Sequence, residues 1–240
     1  MKKKDSLYIV IPAYNEAENI AQVVNEWYPV VNRYSADGLS RLVIIDDGSR
    51  DGTYEILQKE VERRPLLEVI TKANSGHGAS VLCGYKYALE KNAAYIFQTD
   101  SDGQTLPSEF DVFWHERERY DMVIGWRRGR LDGFSRLVVT KVLKLVIWIC
   151  FGVWVTDANA PFRLLKTAPL RQIINLIPEG YNLSNVLVSV IYAKRKNPCR
   201  YIPITFRQRQ GGVNSINLRK ICKIGVKALR DFRRIGETIK

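Results

Sequence analysis

Short apolar runs separated by longer amphipathic segments dominate the first 125 residues of the chain. Leu7-Tyr8-Ile9-Val10-Ile11 and Leu42-Val43-Ile44-Ile45 are apolar throughout, the pattern of strands buried on both faces. Leu67–Thr71, Ala94–Thr99 and Met122–Ile124 repeat it in shorter form. Between these runs the spacing predicts helices. One starts from a cap at Asn15, with Glu18 at the third helical position, and runs through Val23, Val24 and Trp27. Others are predicted over 53–63, 78–91 and around 110–119. Strands alternating with helices predict a mostly parallel sheet with helices on both faces, an α/β fold. Ligands bind such sheets beyond the carboxyl ends of the strands. Here those ends read Pro12–Glu16, Asp46–Ser49, Asn74–Gly78 and Asp100–Gln104. All four are polar, and most are rich in Gly, Asp or Asn.

The second half is less regular. Ser135–Phe151, Leu170–Ile177 and Leu183–Lys194 read as helices. Tyr201–Phe206 reads as a strand, placed at a sheet edge because Pro203 has no N–H for a ladder. Ile216–Ile235 is amphipathic, with Leu218, Ile221, Cys222, Leu229, Phe232 and Ile235 at helical spacing. The division expected is one α/β domain over 1–215 and a basic amphipathic C-terminal helix over 216–240. The most apolar stretch, Leu137–Val155, is interrupted by Lys141 and Lys144. Its uncharged part, Leu145–Val155, is too short to span a bilayer. Met1–Lys4 and the run after it lack the length and cleavage site of a signal peptide.

Composition adds little and charge adds more. With 46% hydrophobic and 26% charged residues, the 240-residue chain is of ordinary globular type. Cys83, Cys150, Cys199 and Cys222 are scattered, so neither a disulfide framework nor a zinc site is expected. The net charge is +12, and residues 194–240 carry all of it: 14 Lys and Arg against Asp231 and Glu237. A basic segment this localised points to an anionic partner: a membrane surface, nucleic acid or a phosphorylated ligand.

The chemistry concentrates at the strand ends. Asp100, Asp102 and Gln104 sit at alternate positions after a buried strand, so in an extended segment their oxygens point the same way. Hard divalent cations take such ligands, and magnesium typically takes one or two carboxylates plus substrate phosphates. Asp46 ends the second strand, where a carboxylate can accept hydrogen bonds from a nucleobase or ribose. Asp51 or Thr53 can cap the helix that follows. Asp157, in Thr156-Asp157-Ala158-Asn159, can cap a helix or strand, and the resemblance given next implies a base or an acceptor-positioning carboxylate instead. His77 lies in a glycine-rich loop that can approach a ligand, and His115 is placed on the surface.

In combination these motifs resemble the family 2 inverting glycosyltransferases of the GT-A fold. The resemblance is carried by Val10–Glu16, Asp46-Asp47-Gly48-Ser49 with Asp51-Gly52-Thr53, Asn74-Ser75-Gly76-His77-Gly78 and the Asp-x-Asp element. Gly125-Trp126-Arg127, Ser135-Arg136, Pro161-Phe162-Arg163 and Arg209–Ser215 are similar to later motifs of the dolichyl- or polyprenyl-phosphate sugar transferase branch. Trp126, Ala160 and Asn214-Ser215 depart from that pattern, all in the half that selects the acceptor.

The resemblance implies a nucleotide-diphosphate sugar donor and Mg2+ or Mn2+. Pro12, Tyr14, Glu16 and Asp46 would contact the nucleoside. Asp100, Asp102 and Gln104 would bind the cation, which makes Asp102 catalytic alongside Asp157. Arg127, Arg136 and Arg209 would meet phosphates, whose geometry suits a guanidinium fork. The acceptor implied is a lipid phosphate, with a hydroxyl of a cell-envelope glycan or lipid-linked saccharide as the alternative. An anionic membrane surface is an expected partner, through Phe134–Val155 and the terminal helix. The expected location is cytoplasmic, peripheral at the inner face of the membrane. The helix over 183–194 is compatible with a homodimer.

Two rivals explain less. A haloacid-dehalogenase-type phosphatase also uses an Asp-x-Asp-Gly-Thr-like segment, but Gln104 separates Gly103 from Thr105. A nucleic-acid-binding protein would use the basic C-terminus but would be repelled by acidic strand ends.

Overall fold

The computed structural model describes residues 5–35, 38–127, 134–207 and 231–232, with the backbone alone at Arg127 and over 134–139. Strand β1 (Leu7–Ala13) leads to α1 (Ile20–Arg33), β2 (Arg41–Asp46), α2 (Thr53–Val61), β3 (Leu67–Thr71), α3 (His77–Glu90) and β4 (Tyr95–Gln98). Then come α4 (Phe110–His115), β5 (Met122–Arg127), α5 (Phe134–Phe151), β6 (Arg163–Lys166), α6 (Thr167–Arg171), α7 (Ser184–Lys194) and β7 (Cys199–Ile204). The seven strands form one sheet in the order β3-β2-β1-β4-β6-β5-β7. Strands β1 to β4 are mutually parallel, as are β5 and β7, and β6 runs antiparallel between β4 and β5.

The continuous apolar runs are explained by burial on both faces. Along β1, Tyr8 and Val10 enter the core shared with α3, α5 and α7, whereas Leu7, Ile9 and Ile11 enter the core shared with α1 and α4. In β2, Val43 and Ile45 face the first core, and Leu42 and Ile44 the second. The period of two is thus present, but no polar face reveals it. An aromatic cluster backs β4: the Phe97 ring lies 4.6 Å from Phe162 and 4.9 Å from Phe110, both edge to face. Such pairs add to the area they bury and hold the strand rigid where it delivers Asp100.

Several local expectations are corrected. Asn15 does not cap α1. It sits at φ 53°, its Oδ1 accepts from the Arg50 N–H at 2.8 Å, and its own N–H donates to Ser49 Oγ at 3.0 Å. The side chain is occupied in joining two loops, and α1 starts at Ile20, with Asn19 at its N-cap position. The helix expected over 170–177 is instead α6 followed by a 3-10 turn at Ile174–Leu176. Strand β6 was not anticipated. The helix over 183–194 exists, but Ser184–Tyr192 are all buried within the chain, so α7 offers no dimer face. Pro203 does lie on an edge strand, β7. Of the terminal helix, only Asp231 and Phe232 are described, and both are helical.

Gly84 marks where α3 crosses the sheet, because a Cβ there would overlap Val10 Cγ1 on β1. Gly84→Val should cost about 3 kcal/mol through overpacking. Urea denaturation checks this, and an unchanged midpoint would contradict the packing described.

Candidate active site

Register brings the candidate loops to one sheet edge. Ala13 pairs with Asp46, and Asp46 with Thr71, so the ends of β1, β2 and β3 are level. Strand β4 lies on the other side of β1 and ends at Gln98, two residues before Asp100. Because β6 is antiparallel, its first residue, Arg163, pairs with Gln98. The segment entering β6, which carries Asp157, therefore reaches the same edge as the segment leaving β4. Arg127, the last residue of β5, pairs with Ile204 at the end of β7, again at this edge.

The first two loops are braced by each other. The Glu16 carbonyl accepts from the Asn19 and Ile20 N–H groups at 2.9 and 2.8 Å, which starts α1. The Glu16 N–H donates to Thr53 Oγ1 at 2.9 Å, and its carboxylate accepts from Asn19 Nδ2 at 2.9 Å. Asp51 Oδ1 accepts from the Thr53 N–H and hydroxyl, and Oδ2 from the Ala17 N–H. The N-cap position of α2 is Gly52, not Asp51 or Thr53 as the sequence suggests, and Asp51 holds the first residue of the helix from just outside it. Pro12 is buried in β1, whereas Tyr14 is 44% exposed at the rim. Asp46 is buried, with Oδ1 accepting from the Ser49 N–H at 3.1 Å.

Asp47 was not singled out from the sequence, and it organises the third loop. Its carboxylate accepts from the Ser75 and Gly76 N–H groups at 2.9 and 2.8 Å and pairs with the Lys72 ammonium. Burial pushes the Asp47 carboxyl up, but Lys72 and the two N–H donors outweigh it and hold the group below its ordinary value. This loop ends where α3 begins, and His77 Nε2 then stands 3.7 Å from Asp100 Oδ1.

Asp100 Oδ1 is buried and accepts no hydrogen bond. A buried acceptor oxygen left without a donor calls for a partner, and a bound cation is one that a carboxylate oxygen can take. Asp102 Oδ1 accepts from the Gln104 N–H at 3.1 Å, which fixes the turn between the two. The Gln104 amide donates through Nε2 to the Arg207 carbonyl at 2.9 Å, and the Arg207 N–H returns a bond to the Gln104 carbonyl. Gln104 therefore ties the exit of β7 to the Asp-x-Asp loop, a role its spacing did not reveal. Among the described residues, no three His, Cys, Asp or Glu side chains gather as an ion site. The orphaned Asp100 oxygen and an oxygen-only donor set still fit magnesium or manganese, which complete their shells with water and substrate phosphate.

Asp157 is 8% exposed. Burial pushes the nearby Tyr201 phenol up to about 12, with the Asp157 carboxylate acting in the same direction. The loop is held by Arg163, which is fully buried and donates to the carbonyls of Ala158, Ala160 and Asn185 and to Ser189 Oγ. Arg163 is a positioning residue that sequence reasoning missed, although it lies in the quoted Pro161-Phe162-Arg163 segment. The side chains of Arg127 and Arg136, and all of Arg209, lie outside the described residues.

A mixed sheet of this order, with polar loops at the carboxyl edge, defines a GT-A glycosyltransferase fold. The model described as glycosyl transferase family 2 matches residues 8–173, and the chain belongs to that family. It is 25% identical over 236 residues to the UDP-N-acetylglucosamine–dolichyl-phosphate N-acetylglucosaminyltransferase of Methanococcus voltae, covering 90% of this chain and 85% of that one. It is 26% identical over 216 residues to the undecaprenyl-phosphate mannosyltransferase of Micrococcus luteus, covering 87% and 86%. Its fold is similar to the glucosyl-3-phosphoglycerate synthase of Mycobacterium tuberculosis, solved with Mn2+, UDP-glucose and phosphoglyceric acid. That likeness has a TM-score of 0.68 at 14% identity and covers 97% of this chain and 80% of that one.

The depressed Asp47 carboxyl gives a pH test. A carboxyl whose value is lowered on folding stabilises above its unfolded value and loses that contribution as pH falls through the folded one. Asp47→Asn should cost about 2 kcal/mol at neutral pH. The gap to wild type should shrink below about pH 4. Denaturant unfolding from pH 7 to 3 checks this, and a gap that stays constant or widens would contradict it.

Proposed function

We propose that the chain transfers a sugar, with inversion, from a nucleotide-diphosphate sugar to a polyprenyl-phosphate-type lipid, using a divalent cation held by Asp100 and Asp102. The observation that carries the cation site is the buried Asp100 oxygen without a hydrogen-bond donor. The lipid acceptor is supported by relatives whose names specify dolichyl and undecaprenyl phosphate.

In this reading Tyr14, exposed at the rim, offers its ring to the nucleobase, and Pro12 shapes the floor beneath it. Asp46 and Glu16 accept hydrogen bonds from the nucleoside. Asp100 and Asp102 hold the cation, with Gln104 bracing the turn and lending its amide oxygen. When bound, Mg2+ or Mn2+ neutralises charge on the leaving diphosphate as a Lewis acid. Arg127, Arg136 and Arg209 add positive charge toward phosphates. The acceptor oxygen attacks the anomeric carbon opposite the leaving group, and one displacement inverts it. A phosphate monoester has a second pKa of about 6 and is already a nucleophile at neutral pH, so it needs no base. Asp157 then positions the acceptor, held in place by Arg163. A sugar hydroxyl would instead need Asp157 as its base.

The test is nucleoside diphosphate release from a panel of nucleotide sugars, with and without Mn2+ or Mg2+ and polyprenyl phosphate. Metal-dependent release stimulated by the lipid phosphate is expected, with Asp102→Ala reduced by about 100-fold or more. On this acceptor Asp157→Asn should keep substantial activity. Turnover indifferent to lipid phosphate and abolished in Asp157→Asn would overturn the acceptor and favour a hydroxyl.

A further inference from the structure

Helix α5 buries one face and turns an apolar one to water. Val146, Ile147 and Phe151 are buried in the core beside α7. Val142, Leu145, Trp148 and Ile149 are between 42% and 55% exposed and form a stripe at helical spacing. Trp154, 67% exposed in the loop that follows, stacks on Trp148 with ring centroids 6.1 Å apart. Two paired indoles on an exposed aliphatic stripe form a patch of the kind that marks an interaction surface.

Charge selects the partner. Lys141 is exposed beside the stripe, and Lys144 is half-buried on the same helix. On the inner side of α5, Phe232 is fully buried with its ring 5.3 Å from Phe151. Asp231 lies close enough to Tyr181 to reinforce the upward push that burial gives its phenol. Asp231 and Phe232 are thereby anchored beside α5, and in sequence they belong to a stretch whose cations outnumber its acids, 14 to 2 over residues 194–240. Indole rings favour a bilayer interface, and lysines beside an apolar stripe are attracted to anionic headgroups. A second copy of the chain would bring the same cations together across a two-fold axis, which repels.

We propose that the Val142–Trp154 face of α5 docks on an anionic lipid bilayer. No helix among the described residues is long and apolar enough to cross a membrane, so this face lies on the surface of the bilayer. Trp154 precedes Asp157 by three residues, about 10 Å of chain at most. Docking there sets the active-site edge beside the headgroups, where a lipid-borne acceptor arrives. That use rests on the acceptor reading above; the docking itself does not.

The experiment is flotation of the full chain with vesicles of phosphatidylglycerol and phosphatidylcholine, against phosphatidylcholine alone. Preferential binding to the anionic vesicles is expected, with tryptophan fluorescence quenched by brominated lipid. Trp148→Ser/Trp154→Ser should bind about tenfold more weakly or worse, a factor of about 1.4 kcal/mol. Its circular dichroism and its turnover on a short, water-soluble polyprenyl phosphate should be unchanged. If the double variant misfolds, Trp154→Ser and the quenching of the wild-type chain carry the test. No binding of the wild-type chain, no quenching, or full binding by a folded variant would overturn the proposal. A dimer that the variant dissociates would also overturn it, in favour of a subunit interface. Intact vesicle binding without turnover on any lipid phosphate would count against the acceptor alone.

Discussion

Asp100 leaves a fully buried strand with one carboxylate oxygen sealed from water and without a hydrogen-bond donor. A buried acceptor without a donor forfeits the hydrogen bond that water would give it. The surrounding structure keeps it there: the aromatic cluster around Phe97 makes β4 rigid, and the paired strands on both sides fix where it ends. An unmet acceptor of this kind is expected where a bound group satisfies it. The donor site proposed here depends on that one oxygen, because it gives a cation and its diphosphate a reason to bind at this point of the edge.

The loops around Asp100 are held by contacts between strand ends distant in sequence. Asp47 reaches from β2 to the loop before α3, and that loop sets His77 beside Asp100. Thr53, at the start of α2, and Asp51, in the loop before it, reach back to Glu16 and Ala17. Gln104 joins β4 to β7 through two bonds with Arg207. The edge is therefore preorganised by mutual bracing. Electrostatic catalysis needs such preorganisation, since dipoles already in place need not reorganise during reaction. Arg163 extends the same bracing to the loop that carries Asp157, where its guanidinium holds three carbonyls.

The parallel half was legible because strands buried on both faces leave continuous apolar runs, and the loops between them concentrate Gly, Asp and Asn. Strand β6 was not, for it has only Leu164 and Leu165 between charged residues, and a buried arginine looks like a surface one until its carbonyl partners are known. The cap assigned to Asn15 failed for a related reason, since Ser49 and Arg50, which engage it, lie 34 and 35 residues away. Of the doublet Asp46-Asp47, the sequence singles out Asp46 at the strand end and gives Asp47 no role of its own. That role arises from Lys72 and the Ser75 and Gly76 N–H groups, which only folding brings to Asp47. The apolar stripe on α5 was visible as composition, but which residues of Leu137–Val155 face inward was decided by α7 and Phe232.

The most direct measurement is titration of Mn2+ into the purified chain, followed by electron paramagnetic resonance, with and without a nucleoside diphosphate. The account predicts bound Mn2+ that tightens when the diphosphate is present, and loss of that signal in folded Asp100→Asn and Asp102→Asn variants. Absence of Mn2+ binding by the wild-type chain, or undiminished binding by the Asp100 variant, would contradict it.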